Sequence, residues 1–187
     1  MSMENGGATP MAPETTTYLE MLSPAELVPP RADPSRLAVR RLAAADFELG
    51  RRLYREVGAA YLWLDRLAWS DARWQAWYGR SGVELWIGEA DRRPAGYFEL
   101  DAQPDGNTEL AYFGLLPDAI GRGLGGLLLS AAITRAWATG AKRVWVHTSS
   151  RDHAAALPNY LARGFRVYRT ETKLAPLQPA PAAGPRA

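Results

Sequence analysis

A loop holding four glycines joins an apolar strand to an apolar helix in the stretch FGLLPDAIGRGLGGLLLSAAI, residues 113–133. Glycine inside a helix costs about 1 kcal/mol relative to alanine, so Gly121, Gly123, Gly125 and Gly126 at a helix start need a reason in the backbone. Two glycines would serve a tight turn. Four leave the first amides of the helix, which have no intrahelical partner, uncovered by side chains. Bare amides at the positive end of a helix form a site for phosphate groups, and Arg122 stands beside them. The spacing Gly121, Gly123, Gly126 also satisfies a dinucleotide fingerprint. That fingerprint needs an acidic residue about 20 positions on, at the end of the next strand. Here that strand end reads Val146, His147, Thr148, Ser149, and the first acid is Asp152. A Walker loop is excluded because no Gly-Lys-Ser/Thr follows. The loop therefore reads as an anion cradle in which the backbone makes the contact. Turn formation with close helix–sheet packing is the simpler alternative.

A chain of 187 residues can bury one full core. It has no cysteine, which excludes disulfides and cysteine-ligated metal, and only two histidines, His147 and His153. No metal is expected. The net charge is +2 with both signs interspersed, so no basic stripe points to nucleic acid. Twenty of the 22 basic residues are arginine, which reads first as coding bias. There is no apolar run of transmembrane length, and residues 1–16 lack the basic start and apolar centre of a signal peptide. A cytoplasmic protein with no membrane partner is the expectation.

Residues 1–16 and 175–187 are small, polar and rich in Pro, Gly or Ala, and read as disordered tails around a single domain over 17–174. Within it, 15–21 reads as a short edge strand and 37–43 as an alternating strand. Asp46 can cap a helix to about Val57, and Ser70 or Asp71 a second one. Strands over 83–90, 95–102 and 108–116 are hairpin-spaced and so antiparallel. A helix over about 123–139 ends at Gly140, and a strand (142–149), a helix (152–164) and a last strand follow. The order predicts an α/β fold with a mixed sheet, antiparallel in the N-terminal half with a parallel crossover in the C-terminal half.

A strand ending Leu115, Leu116, Pro117, the loop DAIGRGLG, an apolar helix, the strand VWVHTS and a helix carrying NYLARGF together resemble the GNAT acyltransferase superfamily. The resemblance covers roughly 37–174 and is strongest over 109–166. The family's loop opens with Gln or Arg, where this chain has Ile120. Its tyrosine four residues before Gly-Phe is present as Tyr160, Gly164 and Phe165, while the asparagine it often places seven residues earlier is His153. The resemblance implies a GNAT-like sheet with helices on both faces, acetyl-CoA as co-substrate, and direct acetyl transfer to the primary amine of a small molecule. It implies pantetheine pairing along Leu115 and Leu116, and pyrophosphate over Gly121, Arg122, Gly123, Leu124, Gly125 and Gly126. Tyr160 is implied as the acid for the departing thiolate, set against a tyrosine that merely packs on the sheet. Glu109 is the base candidate, a catalytic glutamate being known at this place in some members, and a solvated strand-end carboxylate is the alternative. Glu99, on the adjacent strand, is the reserve.

If Glu99 and Glu109 face each other, repulsion raises one pKa. His147 can relay protons or hold a backbone carbonyl. Five of seven tryptophans fall between 61 and 90, four of them in the segment that forms the acceptor wall in the family. Trp63, Trp74 and Glu99 are the acceptor-site candidates, since an aromatic face suits a cationic amine, with Asp65 and Asp71 able to hold an ammonium. Competing readings are a sensor that holds acyl-CoA without turnover, and a protein N-acetyltransferase. A homodimer is compatible with the sequence.

Overall fold

The computed structural model describes residues 10–176. Seven strands form one sheet in the order β2-β3-β4-β5-β6-β1-β7. They are β1 (Met11–Met21), β2 (Ala38–Leu42), β3 (Val83–Ala90), β4 (Arg93–Ala102), β5 (Asn107–Leu115), β6 (Arg143–Ser149) and β7 (Arg166–Pro176). The short turns between β3, β4 and β5 allow only hairpin pairing, and both pairs are antiparallel. β5 reaches β6 through helix α3 (Gly125–Ala138), and this pair is parallel, as a helical crossover requires. The mixed sheet and its late crossover are those expected from the sequence.

Helices cover both faces. α3, whose Leu128, Leu129, Ala132, Ile133 and Ala136 are buried, packs with α4 (Ala156–Ala162) over Phe98, Leu100, Leu110, Val144 and Val146. On the other face α1 (Phe47–Gly58) and α2 (Asp71–Tyr78) set Leu53, Tyr54, Val57, Trp74 and Tyr78 against Leu85, Ile87 and Tyr97. The buried positions of α1 and α3 recur at i, i+3 and i+4, the spacing of one helical face. Ser70 caps α2 by accepting the Arg73 N–H, and Gly140 follows α3 at φ +83°.

The ends differ from expectation. β1 begins at Met11, so residues 11–16 belong to the sheet rather than to a tail, and the last strand runs to Pro176. The rest of both tails lies outside the described residues. Nor is β1 an edge strand. It pairs with β6 on one side and β7 on the other, which satisfies both rows of its backbone groups. The helix before Gly164 is also shorter than expected, because residues 148–153 are taken up by a hydrogen-bonded turn around Asp152. Among the described residues no helix is long and apolar enough to cross a membrane.

Candidate active site

β5 and β6 pair over only three positions, Asn107–Arg143, Thr108–Val144 and Glu109–Trp145, and then part. The cause lies one strand away. Between β4 and β5 the register steps from Leu100–Leu110 to Glu99–Tyr112, so Ala111 is an extra residue, a bulge. A bulge bends its strand and sharpens its twist, which turns the second half of β5 away from β6. Residues 110–115 then present one row of backbone groups to no strand. The gap opens into a cavity of about 830 Å³, lined on one side by Leu110 to Leu115 and on the other by Val146, His147 and Ser149. The glycine loop closes one end of it and the segment 61–65 the other.

At the loop, Gly121 (φ +80°) and Gly123 (φ +74°) occupy left-handed backbone that a side chain resists. Gly125 and Gly126 open α3, and both line the cavity. They lie under α4: Asn159 Nδ2 donates to the Gly125 carbonyl (3.3 Å), and a Cβ on Gly126 would stand 3.0 Å from Arg163 Nη1. The four glycines thus divide between turn geometry and close approach, and all four face the cavity. Three of their expected companions do not. Arg122 turns away to pair with Asp91. Leu124 is buried with Ala90, Ala95 and Leu127, anchoring the loop. Leu116 donates its N–H to Ala95 (2.9 Å) and accepts from Ala119 (2.9 Å), so its backbone is already engaged, while Leu115 does line the cavity.

Two arginines not singled out in the sequence flank the loop instead. Arg36 Nη2 donates to the Arg122 carbonyl (2.9 Å), and Arg163 lies over Gly126. Arg163 was findable, since it stands four residues after Asn159 on one helical turn. Arg36 carries no such signal.

Tyr160 projects from α4 into the cavity wall, edge-on to Phe165 and tilted against Phe113. Burial raises its pKa well above the ordinary phenol value, with Asp152 adding to the effect. It is therefore protonated throughout the working pH range. His153 replaces the family's asparagine without loss of the local turn, because its Nδ1 accepts the Ala155 N–H (3.0 Å).

Glu109 lies on the α1/α2 face at the point where β5 and β6 part. Its cross-strand neighbour is Asp101, not Glu99, which the bulge places opposite Tyr112. Burial raises the Glu109 carboxyl to about 7, Asp101 adds to the rise, and Arg66 opposes it. The expected like-charge effect is present with a different partner. His147 Nε2 stands 3.7 Å from Glu109 Oε1 and lines the cavity, so it lies between the carboxyl and the open space. Burial lowers the His147 pKa, while Asp152 and Asp65 push it back up.

Glu99 is not a base. It is fully buried, and its oxygens accept from Arg66 Nη1 (2.7 Å), Trp77 Nε1 (3.1 Å) and the Tyr78 hydroxyl (2.7 Å). The Arg66 guanidinium is itself 4 % exposed and lies within 4.2–4.7 Å of the ring centres of Tyr112, Trp77 and Trp69. Trp74 is likewise core, 1 % exposed among Tyr54, Trp69 and Tyr78, and does not reach the cavity. Trp63 does, packed edge-on to Tyr112 and Tyr97. Asp71 pairs with Arg51 on the surface. Asp65 remains at the cavity, accepting from the hydroxyls of Tyr54 (2.8 Å) and Tyr112.

The sequence matches the model of the Acetyltransferase (GNAT) family over residues 41–165. The chain belongs to the GNAT acetyltransferase family. Similar solved structures include a GCN5-related N-acetyltransferase from Kribbella flavida (22 % identity, TM-score 0.63) and one from Sphaerobacter thermophilus (15 %, 0.65). The match takes in 90 % and 91 % of this chain but only 61 % and 54 % of those longer ones. A third is an aminoglycoside acetyltransferase from an uncultured soil metagenomic sample, at 16 % identity and TM-score 0.57, over 69 % of this chain and 88 % of that one. At these identities the likeness is one of fold. No curated protein matches the sequence.

Proposed function

We propose that this GNAT domain is an acetyl-CoA-dependent N-acetyltransferase, moving an acetyl group to the primary amine of a small molecule by direct attack. The observation that carries the reading is the unpaired edge of β5, residues 110–115, running between a bare glycine loop and the buried Tyr160. An extended amide-bearing arm can add to such an edge as a strand would. Its pyrophosphate would meet the amides of Gly121 to Gly126, with Arg163 and Arg36 near and Arg122 held off by Asp91. Bound this way, acetyl-CoA supplies the thioester.

The protein's own groups then have two tasks. An ammonium of pKa about 10 must lose a proton before it attacks. Glu109, titrating at about 7, takes that proton, with His147 as the intermediary on the cavity side. The amine nitrogen bonds to the carbonyl carbon, the C–S bond breaks, the sulfur leaves as thiolate, and the nitrogen releases its second proton to solvent. Tyr160 stabilises that thiolate by donating a hydrogen bond. Its raised pKa keeps the proton on the oxygen, so Tyr160 donates without giving it up and solvent provides the proton that finally stays on sulfur.

Tyr160→Phe removes one oxygen and almost no packing. With an acceptor found from an amine panel and saturating acetyl-CoA, kcat should fall by about 10²-fold while the CoA Kd stays within about twofold. Turnover at the wild-type rate would leave Tyr160 as a packing residue and remove this reading of the leaving-group step.

A further inference from the structure

Three carboxylates line the cavity, and they are not alike. Glu14 is matched by Arg151, which lines the same wall with its Nε 3.6 Å away. Asp65 and Asp152 take part in no ion pair with another described residue. Both are instead fixed by neutral donors. Asp65 accepts from Tyr54 and Tyr112, and Asp152 Oδ2 accepts from the Thr148 hydroxyl (2.7 Å) and the Ser149 N–H (2.8 Å). Neutral donors hold a carboxylate in place without cancelling its charge. His147, on the same wall, feels both aspartates, which favour its charged form, while burial disfavours it.

Two further features belong to this end of the cavity. Tyr61, Trp63 and Tyr112 supply aromatic faces there, which attract a cation. The neighbouring residue Arg66 is locked to buried Glu99, so the segment bearing Asp65 is fixed rather than adaptable. Tyr160, 5 % exposed, lines the same cavity.

A monoamine explains only part of this. The reacting nitrogen has to be neutral when it attacks, and two unneutralised aspartates hold an amine in its charged form. They suit a second nitrogen that does not react. We propose that the acceptor is a diamine whose distal ammonium lodges between Asp65 and Asp152 while the other amino group is acetylated toward Tyr160. The proposal rests on the acetyl-transfer reading of the same cavity.

The test pairs 1,3-diaminopropane to 1,6-diaminohexane with n-propylamine to n-hexylamine. Each is titrated calorimetrically into the CoA-saturated protein and then assayed for thiol release from acetyl-CoA. At least one diamine should bind about tenfold tighter than its matched monoamine. Asp65→Asn and Asp152→Asn should each shrink that ratio about fivefold or more, with CoA titration of each variant reporting that it is folded. Diamines that bind no better than monoamines across the series, or a ratio that survives both substitutions, overturn the proposal. Tight diamine binding with no thiol release upholds the subsite and overturns acetyl transfer. Thiol release from monoamines and diamines alike, with equal affinities, does the reverse.

Discussion

Glu109 is held at about 7 by two causes acting in one direction, burial and the Asp101 carboxylate opposite. Its ordinary value is 4.5, so the folded protein holds this proton more tightly than the unfolded chain. Stability from this group is therefore greatest below pH 4.5 and is lost as pH rises through about 7. With about 1.4 kcal/mol per pKa unit, the loss is on the order of 3 kcal/mol. Glu109→Gln cannot ionise, so it should gain on wild type by roughly that amount between pH 4.5 and pH 8, read from denaturant midpoints at each pH. The same substitution should depress amine kcat/KM. Parallel stability curves for the two proteins would show that Glu109 titrates normally and is no tuned base. The position was legible in the sequence from its place fourteen residues before Gly123 in a recognised pattern. The carboxylate that tunes it was not, because the register between β4 and β5 slips at Ala111 and no turn length announces a bulge.

At the scale of elements, the segment between α1 and α2 is held by an ion pair rather than by regular structure. Arg66 and Glu99 are both buried, and three aromatic rings crowd the guanidinium. Breaking such a pair from one side leaves a buried charge and costs about 3–5 kcal/mol. Arg66→Met should show a loss of that size. Arg66→Met with Glu99→Gln should recover much of it, because the amide oxygen still accepts from Tyr78 or Trp77 while the stranded charge is gone. Urea unfolding of both variants decides it, and a double variant no more stable than the single one would mean that packing, not charge, holds the segment. This interlock makes Glu99 and Trp74 core residues rather than the site residues their sequence context suggests. Sequence shows a carboxylate on a strand and an aromatic on a helix, and burial or display depends on what lies across from them. Arg66 is 33 residues from Glu99, and nothing local joins the two. Trp63 and Asp65 do reach the cavity, and they sit in the same aromatic run with no mark that sets them apart.

For the whole molecule, the readable part of the architecture was the part made by near neighbours in sequence. Hairpin spacing fixed the antiparallel β3-β4-β5 run, and one helix-length crossover fixed the parallel step to β6. The insertion of β1 between β6 and β7 was not readable, since Thr17 meets Thr148 and Thr170 across most of the chain. That topology also bears on the glycine loop. A dinucleotide-binding array needs successive parallel strands around the crossover, whereas here β5 and β6 are the only parallel pair among the described strands. The cradle is therefore joined to a splayed strand edge, which suits an extended amide-bearing arm and offers nothing to a second nucleotide. The two ligands can be told apart without any acceptor. A ligand that binds only the folded state adds about 2.7 kcal/mol at a hundredfold excess over its Kd. For a domain of this length that is a rise of roughly 5–10 °C in Tm. CoA should produce it and NADH at the same concentration should not. A rise with NADH and none with CoA would detach the loop from the β5 edge and return it to the dinucleotide reading.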